Sequence, residues 1–160
     1  MKKPIILVED VCQITPELLK KRGIRAVLSD LDNTVAGYRS NVPDKAVGVW
    51  IKSLKDALIP LLVVSNAGKK RVMAFCDPLG LPFVARAGKP GSRGILDALK
   101  RLGVSPSEAV MVGDQYRTDI RAGHRAGVHV ILVPPRVKGF LSSFRRSVEN
   151  HFVKRSIELL

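Results

Sequence analysis

Two aspartates two residues apart, Asp30 and Asp32, sit in the run Ser29-Asp30-Leu31-Asp32-Asn33-Thr34, directly after the apolar stretch Ala26-Val27-Leu28. That stretch reads as a short, fully buried strand closed by polar residues. On extended backbone, residues i and i+2 point to one side. At the carboxyl end of a parallel strand, that side faces the crevice where open α/β sheets bind ligands. Two carboxylates so close repel each other unless a cation or a proton sits between them. The pair is therefore either a metal-assisted active site or a strand end running into a solvated turn, and Asp-x-Asp alone does not choose.

Three later strands end in polar residues suited to phosphate chemistry. Leu61-Leu62-Val63-Val64 is followed by Ser65-Asn66, Pro82-Phe83-Val84 leads to Gly88-Lys89-Pro90, and Val110-Met111-Val112 ends in Gly113-Asp114, with Asp119 five residues on. Each has an ordinary explanation: Ser-Asn and Gly-Asp start turns, Lys-Pro is a loop, and Asp119 could cap a helix. Four in this order are hard to obtain by chance. If every strand is parallel, all four groups leave the same edge of the sheet.

The elements that must position them can be read along the chain. Residues 1–23 form an arm with a helix near Pro16 to Arg22, capped by Thr15 and stopped by Gly23. Gly37 to Pro43 is a loop. Asp44 caps a helix whose apolar face is Val47, Trp50, Ile51 and Leu54, with Trp50 expected in the core. Further helices follow Gly68 up to Pro78, run from Ser92 to Gly103, and from Ile120 to Gly127, before a last strand at Val130 to Val133. Alternating strands and helices argue an α/β fold, with a parallel sheet covered on both faces. In the tail, Phe140, Phe144, Val148 and Phe152 are four apart, with Arg145, Arg146, Lys154 and Arg155 among them. This reads as a basic amphipathic helix that would dock on its own domain, on a partner or on an anionic membrane.

The bulk numbers narrow the function classes. The 160 residues suffice for one domain, with a core at about 24–136 between the arm and the tail 137–160. Twenty-seven basic against 14 acidic residues give a net charge of +13, which favours anionic partners. Cys12 and Cys76 lack metal or disulfide spacing and read as buried free thiols of a cytoplasmic protein. The apolar run Ile5 to Val8 is too short for a signal peptide. No stretch approaches the ~20 apolar residues that span a bilayer.

Asp-Leu-Asp-Asn-Thr, Val-Ser-Asn-Ala, Gly-Lys-Pro and Val-Gly-Asp-Gln-Tyr-Arg-Thr-Asp resemble the four sequential motifs of the haloacid dehalogenase (HAD) superfamily of phosphohydrolases, over about Ile24 to Pro135. Asp-Asn-Thr with Gly-Asp-Gln-x-x-Thr-Asp is similar to the YqeG-type branch, subfamily IIIA, whose members include phosphatidylglycerophosphate phosphatases. Two positions depart from the pattern: Ala67 stands where a second Asn is expected, and Gly123-His124 where Gly-Asn is usual.

The resemblance implies a Rossmann-like three-layer sandwich around a central parallel sheet. It also implies a Mg²⁺-dependent phosphatase working through an aspartyl phosphate. Asp30 would be the nucleophile and Asp32 the general acid and base. Thr34, Ser65, Asn66 and Lys89 would serve the phosphoryl group, Thr34 by ordering its loop and Lys89 by neutralising charge in the transition state. Asp30, Asp114, Asp119 and the backbone carbonyl of Asp32 would hold the metal. The intervals from Asp30 to Ser65 and from Ser65 to Lys89, 35 and 24 residues, are filled by the elements already read and leave no room for a large cap domain. An uncapped site would admit bulky substrates: an anionic lipid phosphate such as phosphatidylglycerophosphate, with the basic tail lending affinity for the membrane surface, or a phosphoprotein. A small metabolite is the alternative substrate. The competing class is a non-enzymatic RNA- or ribosome-associated binder on the same fold. The charge supports it. The 5% aromatic content, the lack of a stacking platform and the retention of every catalytic carboxylate count against it.

Overall fold

Short apolar runs closed by polar residues or glycine become strands here. The computed structural model describes residues 2–136 and the backbone of 157–159. The strands are β1 (Ile5–Leu7), β2 (Ala26–Ser29), β3 (Leu61–Val64), β4 (Phe83–Val84), β5 (Ala109–Gly113), β6 (His129–Leu132) and β7 (Ile157–Leu159). All pair in parallel, in the order β4-β3-β2-β5-β6-β1-β7.

A parallel sheet must bury both faces, and the alternation of side chains along β2 supplies two cores. Val27 packs into the layer that contains Leu19, Val47, Trp50, Leu54 and Phe75. Ala26 and Leu28 pack into the opposite layer with Ile95, Leu99, Ala122 and Ala126. The first layer belongs to α1 (Pro16–Lys21), α2 (Lys45–Asp56) and α3 (Lys69–Leu79), the second to α4 (Arg93–Leu102) and α5 (Arg121–Ala126). The result is a Rossmann-like three-layer sandwich. Trp50 is buried, and its indole N–H donates to the Ile14 carbonyl at 2.9 Å. The Thr15 and Asp44 side chains accept from Leu18 N and Val47 N, as the sequence predicts for caps.

From β2 the chain steps outward to β3 and β4, then crosses back to β5 on the other side of β2. This reversal opens a crevice at the C-terminal end of β2. Register fixes its depth: Ser29 lies abreast of Val63 and Val112. Asp30, one residue on, and Ser65 and Asp114, two residues on, therefore emerge close to one level. Among the described residues no large cap is inserted, because the two intervals hold only loops, α2, β3, α3 and β4.

Two readings need correction. The arm is more than an arm: Ile5–Leu7 is a sheet strand, hydrogen-bonded beside β6. The helix expected through Leu160 does not hold at residues 157–159, which pair with β1 as a strand. Without that pairing β1 would leave its ladder groups open at the sheet edge. The rest of the predicted tail helix, 137–156 and Leu160, lies outside the described residues. No described helix is long and apolar enough to cross a membrane.

Candidate active site

The loops after β2, β3, β4 and β5 converge. Asp30 extends the β2 ladder by one bond, its N–H donating to the Val112 carbonyl at 2.9 Å. Lys89, whose side chain is only 2% exposed, donates from Nζ to Asp30 Oδ1 at 2.7 Å and to Asp119 Oδ1 at 2.6 Å. Asp30, Asp114 and Asp119 each offer a carboxylate oxygen within 4.8 Å of the others. Residues up to 80 or more positions apart thus share one small volume.

Glycine makes the approach of Asp119 feasible. A Cβ at Gly113 would lie 2.3 Å from Cβ, Cγ and Oδ2 of Asp119, so β5 must end in a residue without a side chain. Asp119 sits in a π-helical turn, Tyr116–Ile120, that runs directly into α5. The extra residue per turn re-aims a side chain, as such insertions do. Oδ2 of Asp119 accepts from Gln115 N at 3.0 Å, which leaves Oδ1 for Lys89.

The remaining predicted residues support this centre. Thr34 is fully buried and donates its hydroxyl to Asp114 Oδ1 at 3.3 Å, so it orients a carboxylate. Asn66 clamps the Lys89 backbone with two bonds of 2.8 Å, Nδ2 to the carbonyl and Oδ1 from the N–H. Ser65 is buried beside them, and its Oγ accepts from Ala67 N at 3.1 Å. Its proton has no acceptor among the described residues. Asp32 stands at the rim, with Oδ1 2.7 Å from Arg71 Nη2.

The unusual residues have local explanations. Ala67 receives the turn N–H of Arg86 on its carbonyl and packs against the core. His124 holds Nε2 3.0 Å from the Lys3 carbonyl, tying α5 to the chain before β1. Both cysteines are free, Cys76 buried and Cys12 half-buried, and burial pushes each thiol up to about 12. Neither is a nucleophile near neutral pH.

Electrostatics mark the same spot. Burial, then the Asp119 charge, raises Asp30 to about 6 against the pull of Lys89. Burial, with Asp119 and Asp30 nearby, raises Asp114 to about 7. Burial alone would lower the Lys89 ammonium, but Asp119 and Asp30 outweigh it and move its pKa upward. Ionising all three carboxylates against one ammonium would leave two negative charges in a site that disfavours them. An all-oxygen donor set with that excess fits a hard divalent cation.

Arg71 and the π-helical turn do not stand out in the sequence, and Gly113 is legible there as a strand end but not as the residue whose missing side chain admits Asp119. Arg71 is one of 27 basic residues, and nothing in Gly-Lys-Lys-Arg separates it from its solvent-facing neighbours.

Comparisons with known proteins agree with this fold. A hydrolase-like family model, described as HAD-hydrolase-like, matches residues 86–137. The chain is 35% identical over 153 residues to the probable phosphatase YqeG of Bacillus subtilis, covering 94% of this chain and 88% of that protein. It is 25% identical over 141 residues to a chloroplastic phosphatidylglycerophosphate phosphatase 1 of Chlamydomonas reinhardtii, covering 82% of this chain and 52% of that one. Among solved structures, it superposes on a cobalt-bound deoxy-D-mannose-octulosonate 8-phosphate phosphatase, YrbI, from Haemophilus influenzae. The TM-score is 0.58 at 20% identity, covering 82% of this chain and 90% of that one.

Proposed function

Since the chain belongs to the HAD superfamily as a YqeG-like phosphatase, we propose that it hydrolyses phosphomonoesters through an aspartyl phosphate on Asp30, with Mg²⁺ as cofactor. The observation that carries this is the clustering of Asp30, Asp114 and Asp119 around Lys89.

Asp30, Asp114, Asp119 and the Asp32 carbonyl are the ligands proposed for Mg²⁺, which takes oxygen donors and keeps waters. Bound there, the cation screens the repulsion between an attacking carboxylate and a phosphoryl dianion. Asp30 attacks phosphorus in line, and the leaving oxygen departs with the P–O electron pair and takes a proton from Asp32. Asp32 then accepts a proton from the water that attacks the aspartyl phosphate, and Asp30 is restored as a carboxylate. Ser65, through its unpaired hydroxyl proton, and the backbone N–H of Asn66 hold phosphoryl oxygens. Lys89 neutralises charge that spreads over them in the transition state. Thr34 and the Asn66 side chain hold Asp114 and Lys89 in place.

For the substrate we propose an anionic lipid phosphate at a membrane surface, met from the cytoplasmic side. An uncapped site, a net charge of +13 and the likeness to a phosphatidylglycerophosphate phosphatase support it. The basic residues between 137 and 156 add attraction for anionic headgroups. The test is Mg²⁺-dependent release of phosphate from p-nitrophenyl phosphate, followed by a panel of lipid phosphates in micelles, sugar phosphates, nucleotides and phosphopeptides. Asp30→Asn is expected to abolish turnover, and lipid phosphates to give the highest kcat/KM. Turnover that survives Asp30→Asn would refute the aspartyl-phosphate route. Selective turnover of a soluble metabolite would refute the lipid assignment. Salt-sensitive RNA binding by an inert protein would favour a binder.

A further inference from the structure

One guanidinium reaches from α3 to the loop that follows the aspartate pair. Arg71 Nη2 donates to Asp32 Oδ1 at 2.7 Å and to the Ser40 carbonyl at 2.8 Å, and Nη1 donates to Asn41 Oδ1 at 3.2 Å. The Arg71 side chain is only 20% exposed. This differs from an ordinary surface ion pair, which holds two mobile side chains for little gain. Here a planar fork engages three acceptors on two segments, a geometry a lysine cannot reproduce.

The fork acts on one side of the Asp32 carboxylate. Its described contacts, Arg71 Nη2 and the longer Arg39 N–H at 3.4 Å, both fall on Oδ1. Oδ2 has no partner among the described residues. A carboxyl group with one oxygen anchored and the other open can hand over a proton in one fixed direction. The same clasp ties loop 37–43, at Ser40 and Asn41, to α3 beside the site.

We propose that Arg71 is a positioning residue for Asp32: by gripping Oδ1 and the 40–41 segment together, it aims Oδ2 at the oxygen of the departing group. This rests on the acid role given to Asp32 above, and it assigns Arg71 no contact with the phosphoryl group.

The consequence depends on the leaving group. A poor leaving group, such as the alkoxide of glycerol 3-phosphate, needs the proton, whereas p-nitrophenolate departs without it. General acid catalysis contributes about 10²–10⁴-fold where it is needed, and mis-aiming the acid forfeits part of that. In the full-length protein with Mg²⁺, Arg71→Ala is expected to lower kcat/KM for glycerol 3-phosphate roughly 30- to 100-fold, and for p-nitrophenyl phosphate about threefold. Arg71→Lys keeps the charge, loses the fork and is expected to discriminate about tenfold; it also serves if the alanine variant does not fold. Asp32→Asn is expected to discriminate in the same direction and more steeply. Equal losses on both substrates, or a loss carried by KM alone, would overturn the proposal in favour of a structural or substrate-binding Arg71. No loss on either would overturn it outright. If Asp32→Asn itself fails to discriminate, the acid role of Asp32 falls first and the positioning role with it. If Asp32→Asn discriminates and neither Arg71 variant does, only the positioning role falls.

Discussion

Gly113→Ala tests whether the site is held as tightly as the geometry states. The new Cβ would meet Asp119 at 2.3 Å, and the atoms it meets include Asp119 Cβ itself. No rotation of the Asp119 side chain relieves that contact. The backbone of the π-helical turn 116–120 has to retreat by about 1 Å to restore an ordinary contact of 3.4 Å. Overpacking of this kind costs about 1–3 kcal/mol, and loosening the buried Lys89–Asp119 pair adds to it because Asp119 loses its ammonium and Lys89 one of its two carboxylates. We take about 3 kcal/mol as the expected total, which for a chain of this length lowers Tm by roughly 6–12 °C. A displacement of about 1 Å at a catalytic centre costs ~10²-fold in rate. Thermal unfolding and Mg²⁺-dependent phosphate release read the two effects. Gly48→Ala in α2, where an added Cβ meets nothing within 4 Å, is the control and is expected to leave Tm equal or slightly higher. A Gly113→Ala protein within about 2 °C of wild type in Tm and threefold in kcat/KM would refute the reasoning.

Two further outcomes rest on buried charge and on close packing. Asp30 and Asp114 have native pKa values of about 6 and 7 against 3.8 for the free group, so between about pH 4 and 7 the native state binds more protons than the unfolded state. The stability these groups contribute to the metal-free protein is therefore lost as pH rises through that window. His124 and His129, lowered by burial, titrate in the opposite sense, so the measurement is urea unfolding in chelator at pH 5 and 8 for wild type and Asp114→Asn. Wild type is expected to lose on the order of 2 kcal/mol more than the variant, and Mg²⁺ to restore more at pH 8 than at pH 5; identical pH slopes would contradict this. Separately, Gly123→Ala drives a Cβ to 2.5 Å from Val130 Cγ1 and 3.2 Å from Met111 Cβ. It is expected to cost about 1–3 kcal/mol in denaturant unfolding with kcat of the folded enzyme unchanged, and an unaltered midpoint would count against the packing described for α5.

The candidate catalytic groups were legible because a parallel sheet converts sequence order into position. Once Asp30, Ser65, Lys89 and Asp114 each follow an apolar run, their shared edge needs no further information. What escaped was set by tertiary distance. Ile5–Leu7 is too short to declare itself a strand, and only its pairing with Val130–Leu132 makes it one. The same holds for Ile157–Leu159, which the spacing of the preceding phenylalanines assigns to a helix. The helix predicted from Ile120 begins earlier, as a π-helical turn at Tyr116, because the chain must bring Asp119 against Gly113. Arg71 was invisible for another reason: its three acceptors come from residues 32, 40 and 41, and no local pattern around position 71 anticipates them.

The site is also a record of chain completion. Lys89 answers to Asp30 across 59 positions, and Thr34 to Asp114 across 80. A chain still emerging from synthesis carries Asp30 and Asp32 long before it has the carboxylates that complete their cluster. Until β5 lies beside β2, Asp30 has neither Asp114 nor Asp119 near it, and Lys89 lacks its second carboxylate. The complete cluster therefore requires the chain through residue 119, with β5 seated beside β2 at the sheet's centre.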